Sequence, residues 1–266
     1  MASMNYNNWN DFFIARLNMG KYTFTYCEIK EDFKLSEQSV DKGLSYHSKQ
    51  KHIIKLRKGF YGIITPENSV NGILPVYSFI DDLMNCLHKP YYMALLSAGV
   101  LHGASHQKPM VDFVITETPA PRNIINPKMK IYFISKKSWQ ETDIEQKKGT
   151  AGYINVSSPE LTAFDLITYV DKIGFNLATT VLQELCETIK LSSLKRVAKT
   201  MDSPTIQRLG FILDNFIQAA SLAKALYKVI EKKDTKTVLL STKKPNKGSI
   251  DSKWKIIINT EIEPDL

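Results

Sequence analysis

Apolar residues near the start of the chain recur at the spacing of short helices. Residues 10–17 bring Phe12, Phe13 and Leu17 on or near one face, and Gly20 marks the stop. Thr25 followed three residues later by Glu28 is a capping box, in which each residue satisfies a backbone N–H of the other. In the helix it opens, Ile29 and Phe33 stand four apart and share a buried face. Leu35 ends that helix, and Ser36 caps the next, where Ser39 lies near the start and Val40 and Leu44 are again four apart. Two short helices joined by about three or four residues form a helix-turn-helix. Ile54 and Leu56 then alternate with Lys55 and Arg57. The chain turns at Lys58-Gly59 and returns through Phe60 to Ile64, which predicts a hairpin with a cationic tip.

Past Pro66 the pattern changes. Residues 67–75 carry Asn, Ser and Gly and read as a linker. Helices are expected over 79–87 and 91–102, split by Lys89-Pro90, the second with a close-packing face of Ala94, Leu95, Ala98 and Leu101. Residues 111–116 and 130–134 are nearly continuous apolar runs, as in strands buried on both faces, and 152–156 is a third strand. Between the first two, Pro119, Pro121 and Pro127 set an irregular loop around Arg122. Ser158-Pro159-Glu160 is a helix start with a capping serine, proline at the first helical position and an acid in the first turn. Leu161, Phe164, Ile167 and Val170 follow at intervals of three. Further helices are expected over 176–189, over 194–201, from Ser203-Pro204 through Ala220, and over 222–230. Strands at 238–240 and 254–259, joined by a Lys/Gly/Ser loop, close the chain. The expected fold class is α+β. A winged helix-turn-helix domain occupies 1–66, a linker 67–75, and a larger α/β domain with a small sheet and a helical half 76–266.

Charge sharpens the picture of the first segment. From Lys34 to Lys58 there are seven Lys/Arg against two acids, Glu37 and Asp41, an excess of +5 within a chain whose net charge is +8. Such an excess suits a surface that faces phosphates. The second helix would present Gln38, Ser39, Lys42, Ser45, Tyr46 and Lys49 outward, and the wing Lys55, Arg57 and Lys58. Lys42, Lys49, Lys55, Arg57 and Lys58 would contact phosphates, while Gln38, Ser39, Ser45 and Tyr46 would read bases. Short amphipathic helices with a hairpin also occur in domains that bind no nucleic acid, so the pattern alone leaves both readings open.

Composition bounds the class. A hydrophobic fraction of 43% with 10% aromatics supports a packed core. Three distant cysteines, Cys27, Cys86 and Cys186, without CxxC spacing, argue against a disulfide framework or a zinc site. Neither a signal segment nor a bilayer-length apolar run is visible, so a soluble cytoplasmic protein without a membrane partner is expected.

Three constellations invite chemistry. Asp143-Ile144-Glu145-Gln146-Lys147 has the acids and lysine of a metal-dependent nuclease, but its charged surroundings read as a solvated loop. Asp81-Asp82 reads as a pair of acids early in a helix. His102 and His106 have zinc-ligand spacing, yet Gly103 and Ser105 oppose a continuing helix, and His102 reads as a helix cap. No catalytic residue, cofactor or metal is therefore expected.

The order of motifs adds a resemblance. The helix-turn-helix is followed by Leu56-Arg57-Lys58-Gly59-Phe60-Tyr61-Gly62-Ile63, then by Leu101-His102-Gly103. After these come Ser158-Pro159-Glu160-Leu161-Thr162-Ala163-Phe164-Asp165-Leu166 and Gln207-Arg208-Leu209-Gly210-Phe211-Ile212-Leu213. The series resembles the AbiEi family of antitoxins from type IV, abortive-infection toxin–antitoxin systems, over about residues 10–259. The resemblance implies an N-terminal winged helix that binds and represses the operon's own promoter. It also implies a C-terminal domain that counters a nucleotidyltransferase toxin without requiring a stable complex. The family's wing would fall on Arg57, Lys58, Gly59, Phe60 and Tyr61, and its recognition helix on residues 38–49. One such module is small, so two copies on repeated half-sites of double-stranded DNA are expected. The alternatives are a nuclease targeted by the winged domain and a stand-alone transcription factor whose second domain senses a ligand.

Overall fold

The computed structural model describes residues 6, 8–33, 35–69, 72–104 and 109–263. It is an α+β fold that divides into two compact units. The first comprises residues 1–91, 116–136 and 146–155, and the second 92–115, 137–145 and 156–266. The boundary expected after Pro66 falls inside the first unit.

The N-terminal elements run in the order α1 (Trp9–Asn18), β1 (Thr23–Thr25), α2 (Tyr26–Phe33), α3 (Glu37–Lys49), β2 (Ile53–Arg57) and β3 (Phe60–Ile63). The three strands form an antiparallel sheet in the order β1-β3-β2. The sequence pattern placed all three helices and the hairpin, but not β1, which is three residues long. These elements share a core of Phe12, Phe13, Phe24, Ile29, Val40, Leu44, Ile53, Tyr61 and Ile63, drawn entirely from this segment. Edge-to-face ring pairs such as Phe12–Phe24, with centroids 5.4 Å apart, lock its layers.

Next come α4 (Ile80–Cys86), β4 (Tyr91–Met93), α5 (Leu95–Leu101), β5 (Asp112–Glu117), β6 (Ile124–Asn126), β7 (Met129–Lys136), β8 (Ile144–Gly149) and β9 (Gly152–Ser157). The six strands are ordered β6-β7-β5-β4-β9-β8. Three expectations need correction here. Residues 91–93 begin no helix but form β4, paired in parallel with β9 through Met93 and Val156. The proline-rich stretch is not wholly irregular, because Ile124, Ile125 and Asn126 pair antiparallel with Ile131, Lys130 and Met129. Residues 144–147 are no loop: they belong to β8 at the edge of the sheet, where charged side chains guard an open edge.

The helical half comprises α6 (Pro159–Thr168), α7 (Val170–Ile173), α8 (Phe175–Leu185), α9 (Leu191–Ala198), α10 (Ser203–Asn215) and α11 (Ala220–Ile230). Ser158 caps α6 as expected, accepting the Leu161 N–H at 3.2 Å. A helix apolar on every side belongs in a core. Residues 159–167 of α6 are all buried, and α5, α8, α9 and α10 pack around it. Its buried polar groups are matched: Tyr92 Oη donates to Asp165 at 2.9 Å, and the Lys190 N–H donates to Glu160 at 2.7 Å. The chain closes with β10 (Val238–Leu239), β11 (Ser249–Asp251) and β12 (Ile256–Ile258), a sheet in the order β10-β12-β11. The expected connecting loop thus contains a strand of its own, β11.

Candidate nucleic-acid interface

The surface of interest is built around α3. Ser36 caps it, its hydroxyl accepting the Ser39 N–H at 3.3 Å. Val40, Leu44 and His47 are buried, and Gly43 faces the Trp9 indole, so this stripe fixes which side turns inward. At about 100° per residue, Gln38, Ser39, Lys42, Ser45, Tyr46 and Lys49 occupy an arc of roughly 120° on the other side. All six are exposed. Asp41 lies about 40° beyond the edge of that arc and Glu37 about 80° beyond it, and Glu37 is engaged by Lys30 at 2.6 Å. The outward face is therefore polar and cationic, without a carboxylate at its centre.

The start of α2 is fixed by local chemistry. The expected capping box is present: the Thr25 N–H donates to Glu28 Oε2 at 2.7 Å, and the Glu28 N–H donates to Thr25 Oγ1 at 3.2 Å. Lys34, counted in the basic excess, lies outside the described residues.

Sequence reasoning missed Arg16, the residue that ties α1 to this pair. Its guanidinium donates to the Thr23 carbonyl at 2.6 Å and to Glu28 at 3.0 Å, and only 9% of the residue is exposed. Burial raises the Glu28 pKa, but the Thr25 bonds and the Arg16 charge outweigh it, leaving that carboxyl below its ordinary value. The signal was present in the spacing. Arg16 stands one helical turn beyond Phe12 and Phe13, on the inner face, where an arginine has to find partners.

The hairpin turns at Gly59, whose φ of +74° is the left-handed conformation that glycine adopts without strain. Lys55 and Lys58 are exposed. Arg57 differs from the other eight proposed contacts. The pairing register of β2 shifts between Lys55 and Arg57, an irregularity that re-aims a side chain. The Arg57 guanidinium donates to the backbone carbonyl of Arg122 and lies 5.3 Å from the centre of the Phe133 ring. Burial lowers its pKa. The structure thus leaves Gln38, Ser39, Lys42, Ser45, Tyr46, Lys49, Lys55 and Lys58 exposed, with Arg57 committed to a contact inside the chain.

The acidic constellations have local uses. Asp143 is 2% exposed and paired with Arg196. Asp81 accepts the Tyr91 hydroxyl at 2.9 Å, and Asp82 accepts that of Thr23. Both stand in the first turn of α4, as expected. His102 is the C-cap of α5 and meets the Ser157 carbonyl at 2.7 Å, while His106 lies outside the described residues. Among the described residues, no three His, Cys, Asp or Glu side chains gather in a way that could hold a metal ion. No described helix is long and apolar enough to cross a membrane.

Comparison with known proteins bears on the rest of the chain. Residues 92–215 match the family model of the AbiEi antitoxin C-terminal domain. Over that stretch the chain is similar to the C-terminal domain of AbiEi antitoxins. An antitoxin of this family implies a toxin as its counterpart. Among solved structures, the chain is similar to the crystal structure of the RV2827C protein from Mycobacterium tuberculosis. The TM-score is 0.65 with 11% identity, over 93% of this chain and 90% of that one. At that identity the likeness speaks for the fold alone. No curated protein matches the sequence.

Proposed function

We propose that this chain is an AbiEi-family antitoxin and the DNA-binding repressor of its own promoter, and that its counterpart is a nucleotidyltransferase toxin. The observation that carries the DNA reading is the outward arc of α3, six exposed polar and cationic residues opposite a fully packed stripe. The order α1-β1-α2-α3-β2-β3 is that of a winged helix, in which α3 would enter the major groove and the β2–β3 tip would lie along the flanking phosphates. Lys42, Lys49, Lys55 and Lys58 would supply the salt-dependent attraction, and Gln38, Ser39, Ser45 and Tyr46 the base contacts. Two copies on repeated half-sites would raise the affinity of so small a module. The reading assigns no catalytic step to the chain.

The neighbouring open reading frame tests both halves. Expressed alone, it should arrest growth if it encodes the toxin, and co-expression of this chain should relieve the arrest. A reporter under the operon promoter should be repressed by the intact chain and released when Lys42 and Lys49 are both changed to alanine. Full repression by that variant would contradict the role given to α3, and persistent arrest would contradict the pairing with that toxin.

A further inference from the structure

We infer that the nucleic-acid contact extends beyond the wing onto the proline-rich loop, with Arg122 as a phosphate contact and Arg57 as the residue that positions it. The inference rests on the DNA-binding reading and assigns a contact outside the first 66 residues. Arg57 has the composition of a wing-tip cation but not the geometry of one. It is half-buried, its guanidinium donates to the Arg122 carbonyl, and its central carbon stands over the Phe133 ring, 5.3 Å from the ring centre. A guanidinium is suited to this arrangement because its planar fork donates a hydrogen bond while its delocalised charge sits over an aromatic ring.

The other end of the contact is anchored as well. The Ala120 N–H donates to Ser135 Oγ at 3.1 Å, and the Phe133 N–H donates to Asn123 Oδ1 at 2.9 Å. These bonds pin the loop to β7 on both sides of Arg122, and β6 pairs with β7 directly after it. The Arg122 carbonyl is thereby turned to the wing, while the Arg122 side chain is exposed. Arg122 therefore stands within one side-chain length of the hairpin tip that carries Lys58. The pair exchanges roles relative to a simple wing: the arginine of the strand holds, and the arginine of the loop is free to meet a phosphate.

Binding of the full-length chain to a duplex carrying its promoter, titrated with salt, tests this. Each lost phosphate contact lowers the slope of log affinity against log salt by about 0.9. Arg122→Ala should weaken binding about threefold to fivefold and lower the slope by about one. Arg57→Ala should do the same, because it uncouples the hairpin tip from the loop that carries Arg122, and Arg57→Lys should not restore the slope. The double variant should lose no more slope than either single one, since both act through the same contact. Two additive losses would overturn the positioning role, because Arg57 would then touch phosphate itself. Wild-type affinity and slope in Arg122→Ala, with a loss in Lys58→Ala, would overturn the extension and leave the DNA reading standing. No binding by the unaltered chain would overturn both. Melting temperatures of the variants separate loss of contact from loss of fold.

Discussion

Gly43 of α3 and Trp9 of α1 are packed so closely that a β-carbon on residue 43 would lie 2.3 Å from the indole. The absent side chain is what lets α1 press against the inner stripe of α3, and so what turns Lys42 and Ser45 outward. Gly43→Ala gains helix propensity of up to about 1 kcal/mol, but overpacking costs about 1–3 kcal/mol. The expected result is net destabilisation of about 1–2 kcal/mol by denaturant unfolding. Promoter affinity should fall with it. A Gly43→Ala variant more stable than the parent would show that the indole yields freely.

The capping box makes a separate prediction. Thr25→Ala removes the hydroxyl that accepts the Glu28 N–H and should cost about 1 kcal/mol. Because the folded Glu28 pKa lies below its ordinary value, this carboxylate stabilises the fold above pH 4.5, and the contribution is lost as pH falls through the folded pKa. Glu28→Gln should flatten the acid limb of a stability–pH profile. An unchanged limb would contradict the pairing of Glu28 with Arg16.

His47 predicts a second pH window. It is buried against Trp9 and Phe13, and its Nδ1 lies 3.0 Å from that of His52. Burial first, and the neighbouring His52 second, lower its pKa from 6.5. The unfolded chain then binds a proton that the folded chain refuses, so stability is full above pH 6.5 and declines as pH drops below it. The melting temperature should follow that sign, and His47→Leu should remove part of the slope. A wild-type slope in that variant would place the titration elsewhere.

Asp143 predicts a structural rather than catalytic role. Its buried carboxylate depends on Arg196, which is itself about half exposed, so Arg196→Ala should cost about 1–3 kcal/mol, below the range for a fully buried pair. Plasmid incubated with Mg²⁺ or Mn²⁺ and the protein should survive intact. Cleavage abolished by Glu145→Ala would restore the nuclease alternative.

What could be read in the sequence was what neighbouring residues determine. The Thr25–Glu28 and Ser36–Ser39 caps, the Lys58-Gly59 turn and the Ser158-Pro159 helix start each rest on contacts within a few positions. The misread stretches depend on partners far along the chain. Tyr91–Met93 is an apolar triplet that fits either period, and only pairing with β9 makes it a strand. β8 carries the charges of a solvated segment because it sits at a sheet edge, where apolar alternation is not required. Residue type points Arg57 toward phosphate, while in the fold its guanidinium donates to the carbonyl of Arg122, 65 positions away. The outward face of α3 was legible because a packed stripe of Val40, Leu44 and His47 dictates its complement.

That face is the most direct place to test the account. The affinity of the full-length chain for its promoter duplex should be measured across a range of salt, alone and as Lys42→Ala/Lys49→Ala. The account predicts tight, salt-sensitive binding whose slope falls by about two in the double variant. An unchanged slope, or no preference of the unaltered chain for the promoter over unrelated duplex, would contradict it.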